Sequence, residues 1–392
     1  MTTTSPPRAA EVRRSTSPRG PSDAIVLAGA GAAALSLAAL LATRVIPSVD
    51  PGGFVVIAYV LFLVLYGVLV SLEDDGRTVV RDRLASVVVH SLAVLALLAL
   101  LDVVGYTFWR GREALPHLSF LTTDMQLAGP LDPLTVGGIL HGVAGTLIEI
   151  TIMLLIIVPL GLAGAVYLNE TSGALARFVR TVVEAMTALP SILAGLLIYG
   201  SLVLTLGFVK SGLAAALAIS VNVLPIMIRA SDVVIRLVPG SLREASLAMG
   251  ASRWRTTWHV VLPTARSGLT TAVLLATAQG LGETSPVLIT AGFGSGLNLN
   301  PLSGPMDSLP LITFIFSHSP EPTMIARAFG AGAVLMALVL VLFGLARVLG
   351  GRPAGELSTR AQRTRTLQSR RDLARFVDRD LPRRQPGAGH AT

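Results

Sequence analysis

The chain of 392 residues has no cysteine and a single lysine, Lys210. The first absence excludes structural disulfides and thiolate metal sites, and says nothing about redox compartment. The second, with no glycine-rich run before Lys210, excludes a P-loop, so this chain has no such route to ATP hydrolysis. Gly-x-Ser-x-Gly elbows, His-Glu-x-x-His pairs and kinase motif sets are missing too, and no catalytic residue is read. His90 and His141 have no companion ligand at metal spacing, so no metal and no cofactor is expected in the chain itself. Charge is also scarce: only 14% of residues are Asp, Glu, Lys or Arg, well under the roughly 25% of soluble domains.

What remains is apolar. Hydrophobic residues make up 52%, glycines number 38 and the mean hydropathy is +0.69, the composition of an integral membrane protein. A bilayer takes about 20 apolar residues per helix. Runs of that kind lie near 24–46, 54–72, 84–106, 139–166, 184–207, 211–236, 267–291 and 325–349, which predicts an all-α, polytopic membrane helical bundle with about eight transmembrane helices. The first run follows a polar Ser-, Pro- and Arg-rich stretch, lacks a small-residue cleavage site and precedes further spans, so it reads as a retained helix.

The formal charge of +8 raises nucleic-acid binding, but the arginines explain it otherwise. Most fall on one side of the eight spans: the N-terminal tail, the connector 72–83, the loop after the sixth span and the C-terminal tail. Arg44, Arg110, Arg112 and Lys210 fall on the other. By the positive-inside rule both termini and the long loop are cytoplasmic, in contact with anionic lipids. The tail from Ser358 to Gln385 reads as an amphipathic surface helix or as solvated disorder. The expected organisation is a disordered cytoplasmic tail at 1–23, three transmembrane helices at 24–106, an extracytoplasmic loop at 107–134, a transmembrane core at 135–350 and a basic cytoplasmic tail at 351–392. Within the core, glycines and prolines interrupt the spans, as membrane helices tolerate where neighbouring helices or a water-lined path meet the freed backbone groups.

The segment VPGSLREASLAMGASRWRTTWHVVLP, residues 238–263, is too long and too well patterned for a simple turn. Ser241 and Glu244 are spaced as a capping box, which predicts a helix from Ser241 to Met249 ended by Gly250 in a left-handed conformation. A second helical stretch carries Trp254 and Trp258 from Ser252 toward Pro263. Two uses are open: an interfacial hairpin anchored by the tryptophans, or a docking surface for a soluble partner.

Glu244, Ala245, Ser246, Gly250, Val260, Leu262 and Pro263 are spaced like the EAA loop of ABC importer permeases. Over about residues 135–350 the chain resembles the PstA-like permeases of phosphate-specific transport (Pst) systems, through VPLGLAGAVYLNE, LPSILAGLLIYG, LPIMIRASDVVIRLVPGSLREASLAMGASRW, GETSPVLITA and SLPLITFIF. The Ser285, Pro286 and Val287 that follow Gly-Glu-Thr fit the PstA-like permeases better than the partner permease of the same systems. The resemblance implies a type I ABC importer permease fold, a coupling helix for a cytoplasmic ATPase dimer that uses ATP and Mg, a heterodimer with a second permease, and an extracytoplasmic phosphate-binding protein. Two of the three N-terminal helices and the long basic tail exceed the family pattern.

Ionisable groups inside a membrane cost about 2.5 to 3.5 kcal/mol each and usually line a path or pair with one another. Asn222, Arg229, Asp232 and Arg236 share one helical stripe, and Gln279, Glu283 and Pro286 another, with Thr284 beside Glu283. Arginine suits an oxyanion through its fixed fork of donors, whereas Glu283 would orient an arginine or accept a proton. The resemblance supports Arg229 and Glu283 as translocation residues. A helix-packing pair between them is the alternative, although on a rise of about 1.5 Å per residue they lie at different depths. Where the family commonly has a second arginine, this chain has Gln279. Glu149 reads as a satisfied packing residue or as a path residue; Glu184 and Asp102 lie near span ends.

The reading is a membrane permease of an ATP-driven phosphate importer. Its rivals are the same architecture for another oxyanion such as molybdate or sulfate, a gradient-driven transporter or channel, and a membrane sensor or scaffold using the added N-terminal helices.

Overall fold

The computed structural model describes residues 21–44, 50–72, 77–350, 364 and 366–369. The disorder expected for the N-terminal tail and the two alternatives for the C-terminal tail fall almost wholly outside the described residues. No strand occurs among those described: the fold is all-α. Among the described residues, seven helices are long and apolar enough to cross a membrane, or eight if a sharply bent pair counts as one span. The chain forms two compact units, 1–103 and 104–392.

In the first unit, α1 (Pro21–Arg44) packs on α2 (Pro51–Leu72), and α3 (Arg77–Gly111) follows. Ala30, Ala34 and Ala38 form a buried i, i+4 stripe on α1; small side chains at that spacing let membrane helices approach closely. Tyr59 and Ser91 share a hydrogen bond of 2.6 Å between α2 and α3, and Arg83 of α3 pairs with Asp23 of α1 at 3.2 Å.

In the second unit, α4 (Leu118–Thr122) leads into α5 (Leu140–Glu170), which packs along α8 (Gly212–Arg236). The approach is close because Gly161 and Gly164 face α8: a Cβ at either would press on Met227 or Ile228. Met153, Ile157, Ile219, Val223, Met227, Ala272 and Ala276 join α5, α8 and α11 (Leu262–Leu281) in one buried apolar cluster. Gly280 of α11 sits on the Met153 side chain in the same way.

The expected span 184–207 is corrected. Helix α6 (Ala174–Thr187) ends at Thr187, and the apolar helix begins only at Ser191: α7 (Ser191–Ile198) continues as a π-helical turn to Thr205, bent 105° from α6. Pro190 lies at the break, where proline disfavours helical geometry in the residue before it. The expected span 267–291 is corrected as well. The helix runs from Arg253 to Leu281, breaks at 282–284, and resumes as α12 (Ser285–Thr290).

At the other end of α5, the segment 112–139 is folded against the stretch 292–308 that leads to α13 (Leu309–Ser317). Leu297 and Gln126 donate their amides to the Asp124 carboxylate at 2.9 and 3.2 Å, and the Leu297 amide holds that carboxyl below its usual range. From α14 (Pro322–Gly350), the fully buried Arg327 donates to the carbonyls of Asp132, Pro133 and Val136 at 3.1, 3.0 and 2.8 Å. Arg327 therefore satisfies loop backbone instead of lining a path.

The glycine contacts carry a test. Gly161→Val should destabilise the detergent-solubilised protein by about 1 to 3 kcal/mol through overpacking, lowering its melting temperature, whereas Gly344→Val, with none of the described residues within 4 Å of its Cβ, should leave it unchanged.

Candidate functional site

Two separate polar groups lie along α8. The first is built at the break that follows α11. Gly282 ends α11, which leaves Glu283 in a non-helical link and Thr284 at the N-cap of α12, where it makes no side-chain cap bond. Glu283 is 8% exposed. Its Oε1 accepts from Asn222 Nδ2 of α8 at 2.6 Å and from Gln279 Nε2, one turn back on α11, at 3.2 Å. The two expected stripes thus do meet, but through neutral amides. An amide offers a carboxylate a donor without cancelling its charge, so Gln279 bonds Glu283 and leaves its charge uncompensated.

The second group lies seven residues further along α8. Arg229, Asp232 and Arg236 line a pocket of about 300 Å³ with Arg180 and Glu184 of α6 and Leu168 of α5. Arg229 is exposed and donates from Nη1 to Thr187 Oγ1 at 3.2 Å. Asp232 accepts from Asn169 Nδ2 at 2.5 Å and pairs with Arg236 Nη2 at 3.0 Å. The guanidinium of Arg180 donates to the Leu168 carbonyl at 3.4 Å. Three arginines face two carboxylates, so the wall carries a net positive charge with donors directed from two helices. Arg229 and Glu283 do not bond: the former stays with α6 and the latter with Asn222. Arg180 and Glu184 were not singled out as site residues from the sequence, where they fell on a connector and a supposed span end. The available signal was their i, i+4 spacing on an amphipathic helix.

The loop after α8 forms α9 (Gly240–Ala248), with no buried residue. Gly250 follows with a φ of +84°, a left-handed conformation that glycine adopts without steric cost. The expected capping box is not formed. Pro239 is the N-cap, Gly240 already opens the helix, and the cap makes no side-chain bond, so Ser241 lies inside the first turn and not ahead of it. Helix α9 is held instead by Arg243, which bonds Glu170 at 2.9 Å and the Ile235 carbonyl at 3.3 Å, and by Ser246, whose hydroxyl meets that of Thr256 at 2.9 Å. Leu242, Leu247 and Met249 are left exposed, at 41, 43 and 88%, along with Glu244 and Ala245.

The second stretch does not stop at Pro263. Ser252 caps α10 (Arg253–Thr256) by accepting from Arg255 N at 3.3 Å. A π-helical turn over Thr257–Val261 then carries the helix into α11, whose opening residues are Leu262 and Pro263. Proline is tolerated at the start of a helix, and the wider turn takes up the change of register. Trp254 and Trp258 lie ring to ring at 5.4 Å and remain exposed.

Glu149 is not the satisfied residue expected as one alternative. It is 1% exposed and its Oε1 has no hydrogen-bond partner among the described residues.

The Asn222 bond to Glu283 is short and charge-assisted, so Asn222→Ala should cost about 1.5 to 3 kcal/mol in detergent unfolding. Gln279→Ala, which removes the longer bond, should cost less; equal losses would contradict this ranking.

The chain matches the family described as binding-protein-dependent transport system inner membrane component over residues 157–354. It is 34% identical over 267 residues to the phosphate transport system permease protein PstA 1 of Mycobacterium tuberculosis, covering 68% of this chain and 87% of the relative. It is 35% identical over 219 residues to the phosphate transport system permease protein PstA of Xylella fastidiosa, covering 55% and 76%. A solved chain from inward-facing conformations of the MetNI methionine ABC transporter is similar at 20% identity, with 54% of this chain and 91% of that one covered and a TM-score of 0.40. The chain thus belongs to the binding-protein-dependent transport system inner membrane components and, within them, to the PstA-like ABC permeases, multi-pass membrane proteins that work with an ATPase and a solute-binding protein.

Proposed function

We propose that this chain is the permease of an ATP-driven inorganic phosphate importer, supplying half of the translocation path and one coupling helix. The observation that carries the reading is the 34% identity over 267 residues to a phosphate transport system permease. The arginine-lined pocket is the physical support, because guanidinium forks suit a tetrahedral oxyanion. The expected assembly is a heterodimer with a second permease, joined by an ATPase dimer that binds ATP and Mg and by an extracytoplasmic phosphate-binding protein. Both termini lie in the cytoplasm, near anionic lipids.

In this reading α9 is the coupling helix, and its bonds give the route by which it acts. Arg243 ties α9 to Glu170 at the end of α5 and to the Ile235 carbonyl of α8, while Ser246 ties it to α10, which continues into α11. Movement of α9 is therefore felt by three core helices together. Helix α8 carries Arg229 and Asp232 at one depth and Asn222 at another, so a shift of α8 against α11 acts on the pocket and on the Asn222–Glu283 bond in the same stroke. Glu283 repels phosphate and is assigned a gating role, as the acceptor that holds α8 and α11 together. Gln279 leaves the path one positive charge short of the family pattern, and the second permease is assigned to supply it.

In the assembled transporter, Arg229→Gln should lower phosphate uptake about tenfold or more, for loss of one charge-assisted contact worth about 1.5 to 3 kcal/mol, with ATPase association intact. Gly250→Asp combined with Glu244→Lys should abolish both association and uptake. Wild-type association and uptake in that double variant would remove the coupling assignment.

A further inference from the structure

The most concentrated polar chemistry outside both groups lies at the start of α5. His141, Thr146 and Glu149 are 2, 2 and 1% exposed, and they share α5 with Gly142 and Gly145. This stretch packs on the 306–312 segment. A Cβ at Gly145 would meet the Asp307 carbonyl, and one at Gly142 the Ile312 side chain. Leu309 donates its amide to Thr146 Oγ1 at 2.7 Å, and His141 Nε2 stands 3.6 Å from Asp307 Oδ2. Asp307 and Ser308 are 3 and 2% exposed.

Five atoms of this cluster have no hydrogen-bond partner among the described residues: both ring nitrogens of His141, Glu149 Oε1, Asp307 Oδ2 and Ser308 Oγ. Such a density of unmet polar atoms is unusual in a buried site and calls for a reason. The charges facing the cluster are few. Helix α5 brings His141 and Glu149. The segment 112–139 brings Asp124, already occupied by two amides. Helix α13 and the first turns of α8, Gly212–Ser220, carry no titratable side chain. Among the described residues, no lysine or arginine bonds to Asp307 or Glu149. Asp307 accepts one fixed donor, the Gly294 amide, at 3.0 Å. Two buried carboxylates without a cation are costly when both are ionised.

We propose that His141, Glu149 and Asp307 form a proton-binding site that fastens the 292–308 segment to α5 when occupied and loosens it when the proton leaves. The step is a simple exchange: a carboxylate takes one proton from water and returns it. Burial pushes the Asp307 carboxyl up to about 7, against the lowering effect of the Gly294 amide. A carboxyl raised in the folded state stabilises the fold fully below its ordinary value of 3.8 and loses that contribution as pH rises through about 7. The 292–308 segment joins α12 to α13, donates the Leu297 amide to Asp124, and accepts the Leu213 amide of α8 at the Pro301 carbonyl at 2.7 Å. Proton loss therefore places an uncompensated charge on Asp307, 3.6 Å from His141 Nε2 and against the α5 stretch that holds Glu149, which weakens the packing of the segment on α5 while its bonds to Asp124 and Leu213 hold. The site works in this way whichever anion is carried.

Infrared difference spectroscopy on the purified full-length chain tests it without transport. The wild type should show a carboxylic-acid C=O band, shifted in D2O, that disappears with a midpoint near pH 7. Asp307→Asn should remove that titration and Glu149→Gln should shift it. Hydrogen exchange of the 292–308 amides, corrected for intrinsic rate, should accelerate over the same range in the wild type and not in Asp307→Asn. A wild type with no titrating carboxylic band between about pH 5 and pH 9, or a band unchanged in both variants, overturns the proposal. If Asp307→Asn does not fold, the wild-type titration and Glu149→Gln decide the matter.

Discussion

The Glu283 carboxylate is the constraint around which the second unit is arranged. It is 8% exposed, so an ionisable group there needs protein donors. Asn222 and Gln279 supply them, and each requires something of the backbone. Asn222 must approach from α8, which needs α8 and α11 in close contact, and the alanines and glycines in the α5, α8 and α11 interface allow that contact. Gln279 must lie one turn back on α11, and the helix must stop at Gly282 so that the carboxylate turns toward α8 instead of continuing around α11. The break is then closed by α12, which packs on α7 and α8; Gly195 leaves room there for Pro286.

Helix α8 is consequently the shared element of the core. It bonds Glu283 through Asn222, carries one wall of the arginine pocket, and offers the Ile235 carbonyl to Arg243 of α9. In the proposed coupling, a change at the exposed loop would reach both polar groups through α8, which carries Pro225 between Asn222 and Arg229. The opposite end is held differently, by carboxylates and one buried arginine that collect loop amides and carbonyls: Asp124, Asp307 and Arg327. One end of the core is thus fastened by few bonds to a short exposed helix, and the other by a dense set.

The helices were legible because a bilayer imposes long apolar runs, and few other structures produce them. The breaks were legible only as compositions. Pro190 stands out in the sequence and Gly282 does not, and the 105° bend at the first and the resumption as α12 after the second depend on packing partners far along the chain. The capping box failed for a local reason: Pro239 took the N-cap position and moved Ser241 inward into the first turn. Glu283 and Arg229 were visible as charges in apolar surroundings, and the difference in depth already argued against a direct pair. Their partners Asn222 and Thr187 lie on other helices, which periodicity within one helix cannot reveal. Asp307 was invisible because it sits in a Gly- and Pro-rich stretch that reads as an ordinary loop.

An ATP-driven path for phosphate is the central claim, and uptake by the reconstituted complex measures it directly. Proteoliposomes holding this chain, a second permease, the ATPase dimer and the binding protein, supplied with labelled phosphate, should accumulate label only when ATP and Mg are present on the ATPase side, with unlabelled phosphate competing and molybdate or sulfate ineffective. Uptake that proceeds equally without the ATPase, or that sulfate or molybdate suppresses as well as phosphate does, would contradict that claim.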